Sequence, residues 1–233
     1  MATRGWIYSA FLTSGFAALL YQVVWQRALF AIYGINVESV TMVVTAFMLG
    51  LGLGSLAGGA VSRAPSRPVL LLFSMVELGI GVFGMVSLAV FHAVGNATLG
   101  MSAGGTFVIT FLLVLLPTLL MGSTLPLLVA HLVRSSKNVG RTVGTLYFVD
   151  TLGSAFASAA AVLGILAHAG QSGSVRVAAG LNFLVAGMSY LAHRRSVREG
   201  ETRVSGEQLR AGATEGAASD AAPASASSSG EAA

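Results

Sequence analysis

The stretch Val40-Thr-Met-Val-Val-Thr-Ala-Phe-Met-Leu-Gly50-Leu-Gly-Leu-Gly54-Ser-Leu-Ala-Gly-Gly-Ala-Val61 decides what kind of chain this is. It carries no charge and exceeds the ~17 residues that a helix needs to cross the hydrocarbon core of a bilayer. Residues 6–30, 69–90, 106–133, 143–168 and 175–191 are similarly apolar and reach or exceed that length, with at most one charged residue in each. Charged residues make up only 9% of the chain, against roughly 25% in a soluble domain. Lipid offers no partners to bare peptide groups, so segments this apolar are expected to be helical. The predicted fold is all-α: a polytopic membrane protein of six transmembrane helices.

Orientation follows from the basic residues. Arg4 precedes the first stretch, Arg63 and Arg67 separate the second from the third, and Arg134, Lys137 and Arg141 separate the fourth from the fifth. Arg194, Arg195, Arg198, Arg203 and Arg210 follow the sixth, leaving only Arg27 and Arg176 of the 13 basic residues on the other side. Basic loops stay in the cytoplasm, so both termini are expected there. The net charge of +4 is thereby explained by topology. No basic surface interleaved with aromatic residues points to nucleic acid, and the expected partners of these charges are lipid headgroups. The absence of cysteine excludes disulfides, thiolate metal sites and thiol catalysis.

The apolar run after Arg4 continues through Trp25, too long for a signal-peptide core and without a small-residue cleavage site. The expected organisation is a transmembrane domain over residues 1–195 and a cytoplasmic tail over 196–233. That tail is rich in Ala, Ser, Gly and Glu and nearly free of aliphatic residues. Such a composition buries too little surface to offset its ordering entropy, so the tail is expected to be disordered.

Within the second stretch, Gly50, Gly54 and Gly58 recur every four residues and form one smooth stripe, which permits close helix packing in lipid. The fifth carries a similar face in Gly153, Ser154, Ala157 and Ala161, a candidate mate. Gly52-x-Gly54-x-x-Ala57 matches part of a dinucleotide fingerprint, but no strand precedes it.

Two carboxylates fall inside apolar stretches, Glu77 and Asp150. Each lies about eight residues, or ~12 Å, from the cytoplasmic end of its helix, so they can share a layer. Intramembrane charge is costly and usually functional. Gln22 and Gln26 share a face of the first stretch with Trp25. Arg27 and Glu38 are placed to pair across the short outer loop. In the fourth stretch Pro117 and Pro126 are expected to kink the helix, with Thr118, Ser123 and Thr124 taking up freed carbonyls. Gln22, Gln26, Glu77, Thr118, Thr124 and Asp150 form a candidate polar pocket. They either hold the helices in register or line a cavity for a cationic or polar solute. His131 and His168 lie near span ends, far apart in sequence, and read as interfacial rather than metal-binding.

The segment Phe11-Leu-Thr-Ser-Gly-Phe-Ala-Ala-Leu-Leu-Tyr-Gln-Val-Val-Trp-Gln-Arg27 resembles the first membrane helix of the bacterial fused major-facilitator/spermidine synthase proteins. The resemblance continues in order through Ala46–Gly59, Glu77-Leu-Gly-Ile-Gly81, Leu116-Pro-Thr-Leu-Leu-Met-Gly-Ser-Thr-Leu-Pro-Leu-Leu128 and Gly140-Arg-Thr-Val-Gly-Thr-Leu-Tyr147, covering roughly residues 6–192. It implies half of a major facilitator fold in a bacterial inner membrane, and polyamine as a possible solute. Asp150 stands where that family commonly has asparagine. The family's soluble aminopropyltransferase domain is expected to begin where the Ala/Ser-rich tail stands, and its glycine-rich cofactor loop is not found there. The resemblance thus implies a non-catalytic membrane module without cofactor or metal, docking a protein partner. The alternative is a half-transporter that dimerises around a solute path.

Reporter fusions after Arg67, Lys137 and Arg198 are expected to report cytoplasm, and fusions at Asn96 and Gly173 the opposite side. A cytoplasmic signal at Asn96 contradicts the six-span topology.

Overall fold

The computed structural model describes residues 2–34, 37–64 and 66–220. Every regular element among them is a helix: α1 (Ala2–Tyr33), α2 (Val37–Ser62), α3 (Val69–Ala97), α4 (Ala103–Ser136), α5 (Val139–Ala160), a π-helical turn (Ala161–Ile165) and α6 (Leu166–Asp220). The chain divides into two compact units, Met1–Ala192 and His193–Ala233. Five helices are long and apolar enough to cross a membrane: Gly5–Tyr33, Val40–Ser62, Val69–Ala97, Gly104–Arg134 and Val139–Glu199. The last is interrupted at Gly170, whose φ of 63° and ψ of −170° are not helical. Only glycine adopts that conformation at little cost, because any Cβ collides with its own backbone there.

Local chemistry sets the ends. Ser102 caps α4 by accepting from the Gly105 amide, and Asn138 caps α5 by accepting from the Arg141 amide, each satisfying a donor that the first helical turn leaves open. Lys137 ends α4 in the left-handed conformation at φ 56°. Arg134 then donates to the carbonyls of Ala64 (3.1 Å) and Arg67 (3.4 Å). It thereby ties the α2–α3 loop to the end of α4, and the basic loops meet at one end of the first unit.

Helix directions follow from that end and from side-chain register. Ser14 bonds Glu77, Trp25 bonds Ser87 and Tyr33 bonds Thr98. The near-constant spacing of these pairs makes α1 and α3 parallel. On the other side of α3, Ser74 reaches the carbonyl of Ala186 and Glu77 meets Asn182. Here one number rises as the other falls, so α6 is antiparallel to α3. Because α3 and α5 both start at the basic end, the chain reverses between α5 and α6, where Gly170 stands.

Trp25 anchors the larger core. It is fully buried, stacks on Tyr21 at 4.9 Å and meets Phe83 at 5.5 Å and Phe91 at 5.9 Å edge-on. Its indole N–H donates to Ser87, so the large apolar ring is buried without leaving its polar atom unpaired.

One reading of the sequence changes. Gly50, Gly54 and Gly58 lie on α4 at Thr118, Leu119 and Ser123, whereas Gly153 of the proposed mate lies on Leu12 of α1. Each small-residue face found the neighbour that chain direction supplied. Pro117 and Pro126 lie inside α4. The hydroxyls bond back onto it, Thr118 to Val114 (3.0 Å), Ser123 to Leu120 (2.7 Å) and Thr124 to Met121 (2.7 Å). The two compact units divide at 192/193, close to the boundary that composition placed at 195/196, and α6 is helical to Asp220. Its Ala, Glu, Arg and Gln are strong helix formers extending a helix already nucleated. Residues 221–233, like the Glu38 side chain of the Arg27–Glu38 pairing, lie outside the described residues.

A Cβ at Gly54 collides with the Leu119 carbonyl, while one at Gly52 meets nothing within 4 Å. Gly54→Leu is therefore expected to lower the thermal transition of detergent-solubilised protein by many degrees and Gly52→Leu to leave it nearly unchanged. Equal transitions for the two variants contradict the packing of α2 on α4.

Candidate functional site

Glu77 sits on the face of α3 that continues through Gly81 and Gly84, spaced so that all three share one stripe. The glycines bring neighbouring helices close: a Cβ at Gly81 meets the Phe183 ring and Asn182, and one at Gly84 meets the Tyr21 hydroxyl. This approach puts α1 and α6 within reach of the carboxyl group. Ser14 Oγ donates to one oxygen of Glu77 at 2.5 Å and Asn182 Nδ2 to the other at 2.6 Å. Glu77 has no exposed surface, and Asn182 is 1% exposed. One buried carboxyl group thus joins α1, α3 and α6. Among the described residues, Asn182 Oδ1, Tyr21 Oη and Ser189 Oγ are buried without a partner.

The other intramembrane acid lies around α1 from this cluster. A Cβ at Gly15 would touch the Asp150 carboxylate (2.5 Å), and Ser154 donates to the Gly15 carbonyl at 3.2 Å. Ser14 and Gly15 point about 100° apart on a helix. Glu77 and Asp150 therefore share a layer of the bundle, as their depths suggested, but meet different sides of α1. Asp150 is half-buried, as are Gln22 and Gln26. Both glutamines follow Gly15 along the same stripe of α1, seven and eleven residues on.

The six residues of the candidate polar pocket thus fall in three places. Glu77 belongs to the α1–α3–α6 cluster. Asp150, Gln22 and Gln26 belong to the α1–α5 side. Thr118 and Thr124 are spent on the carbonyls of α4, and Thr118 reaches the Ala46 carbonyl of α2 at 3.4 Å. His131 is half-buried and His168 exposed on different helices. No cluster of three His, Asp or Glu suited to a metal occurs among the described residues.

Sequence reading missed Ser14 and Asn182, the two partners of Glu77. The one amide side chain in the middle of the largely apolar 175–191 stretch was the available signal, since an intramembrane polar side chain faces the bundle interior. Which acid it meets depends on the reversal at Gly170, which the pattern of apolar residues does not reveal.

Compared with protein-family models, with curated proteins and with solved structures, the chain gives no match.

Glu77→Gln is expected to be tolerated. Its carbonyl oxygen accepts from Asn182, and the Ser14 hydroxyl turns to accept from the new amide. Glu77→Leu strands both partners and is expected to lose about 1 kcal/mol per hydrogen bond, read as a lower thermal transition in detergent. A Leu variant as stable as the Gln variant contradicts the cluster's structural role.

Proposed function

We propose that this chain is a six-span integral membrane module with both termini in the cytoplasm, acting as a non-catalytic docking or assembly subunit of a spermidine-synthase-like bacterial inner-membrane family. The observation that carries the docking role is the closure of Glu77. Both its oxygens are taken by neighbouring helices and no surface of it is exposed. That favours a latch for the bundle over a binding site for a solute.

Two further features support the arrangement. The reversal at Gly170 splits Val139–Glu199 into an outgoing and a returning span. Glycine contacts join α2 to α4 and α5 to α1. Exchanging the first three spans with the last three carries one of these pairs onto the other, the relation expected within half of a major facilitator fold.

A docking face is available on the outside of α2 and α5. Small and polar residues are exposed on α2 at Thr41, Thr45, Gly52 and Ser55, with Met48 among them, and on α5 at Gly144, Thr151, Ala155 and Ser158, with Phe148 among them. Gly52 and Gly144 have open space where a Cβ would stand. In lipid, where apolar surfaces gain nothing by meeting, small and hydroxylated faces are the ones that associate. The proposed partner is a membrane-embedded protein or a second copy of the chain.

A half-transporter of polyamine is the second reading, and it rests on Asp150 with Gln22 and Gln26. Their half-exposed side of α1 remains open to a cation.

Purification in mild detergent or nanodiscs tests the docking role. The wild type is expected to elute with a partner or as a dimer, and Gly52→Leu or Gly144→Leu as the folded single chain. A wild type that is always a lone monomer contradicts docking. In the same preparations the module reading expects no thermal shift with millimolar spermidine or putrescine. A shift abolished by Asp150→Asn would establish the transport reading instead.

A further inference from the structure

A groove of about 420 Å³ opens between α2, α4 and α5. Its walls are small or apolar: Ser55 and Gly59 from α2, Pro126, Val129 and Val133 from α4, and Val139 from α5. None of the candidate pocket residues lines it. It owes its width to Gly59, where a Cβ would meet nothing within 4 Å. α2 and α4 both run along the groove toward the basic loops and α5 starts from them, so the groove ends where Arg63, Lys137 and Arg141 stand.

The charges at that end are one-sided. Residues 59–76 and 130–149 contain no aspartate or glutamate, and Arg63, Lys137 and Arg141 are exposed. Arg134 is committed to the Ala64 and Arg67 carbonyls. It fixes the loops side by side rather than serving a ligand. α5 begins here too, and the open amides of its first turn add a partial positive charge.

We infer that this groove, with Arg63, Lys137 and Arg141 at its mouth, is a binding site for one anionic phospholipid. An acyl chain lies along Gly59, Val129 and Val133, and the headgroup phosphate meets the three cations. An ordinary lipid-facing surface explains an apolar groove, and positive-inside topology explains basic loops. Their meeting end to end adds specificity, because one lipid molecule carries both an acyl chain and a phosphate. Basic recesses between transmembrane helices on the cytoplasmic side hold acidic headgroups in this way.

The site is tested on the purified full chain in neutral detergent by native mass spectrometry and thermal stability, with phosphatidylglycerol and phosphatidylcholine of matched chains. Phosphatidylglycerol is expected to remain bound and to raise the transition, and phosphatidylcholine is expected to do neither. Replacing Arg63, Lys137 and Arg141 with alanine is expected to weaken retention roughly a hundredfold, at about fivefold per charge. Gly59→Leu fills the groove without a clash and is expected to abolish retention while the fold persists. Arg176→Ala, at the other end of the bundle, is expected to change nothing. Equal effects of the two lipids overturn the site, as does undiminished retention by Gly59→Leu. Stabilisation by glycerol phosphate alone that matches the lipid's also overturns it, since the groove then contributes nothing.

Discussion

A polar group inside hydrocarbon has no water to turn to, and the first unit is organised around one case of that constraint. The Glu77 carboxyl group needs partners from its own protein, and it takes them from Ser14 on α1 and Asn182 on α6. Helices that supply such partners must approach closely, which is why Gly81 and Gly84 continue the same face of α3. Phe183 and Tyr21 occupy the space these glycines leave. A larger residue at either position pushes away the helix that carries a partner. The glycines and the acid are therefore parts of one solution.

The same economy separates the inner and outer faces of the bundle. Inside, hydroxyls bond back onto helical carbonyls or onto a neighbour, as Thr118 does with both α4 and α2. Outside, large apolar side chains such as Met48, Leu56 and Leu163 are exposed and suit lipid. Exposed small and hydroxylated residues around Gly52 on α2 and Gly144 on α5 interrupt that apolar surface, as does the groove at the basic end. These departures are the places where the protein has something to meet besides bulk lipid.

Features set by local pattern were readable in the sequence. Apolar stretches gave the helices, the four-residue spacing of Gly50, Gly54 and Gly58 gave a packing face, and counting from the basic end put Glu77 and Asp150 at one depth. Features set by which helices become neighbours were not readable. The glycine stripe meets α4 rather than α5, and the candidate polar residues divide among three sites because α1 stands between the two acids. Asn182 reaches Glu77 only because the chain turns back at Gly170. Composition placed a boundary at 195/196, close to the 192/193 division between the two compact units.

The Glu77 cluster depends most on α6 returning antiparallel against α3, since that return delivers Asn182 to Glu77. The chain has no cysteine, so an engineered pair gives an unambiguous signal. Ser74→Cys with Ala186→Cys puts one buried thiol on each helix at the level where Ser74 Oγ now donates to the Ala186 backbone carbonyl at 2.7 Å. Oxidation in native membranes is predicted to form an intramolecular disulfide in most of the protein, seen as a reductant-sensitive mobility shift. Absence of that cross-link, with both cysteines still reactive toward a membrane-permeant maleimide, would mean that Val139–Glu199 does not fold back and that the Glu77 cluster is not formed.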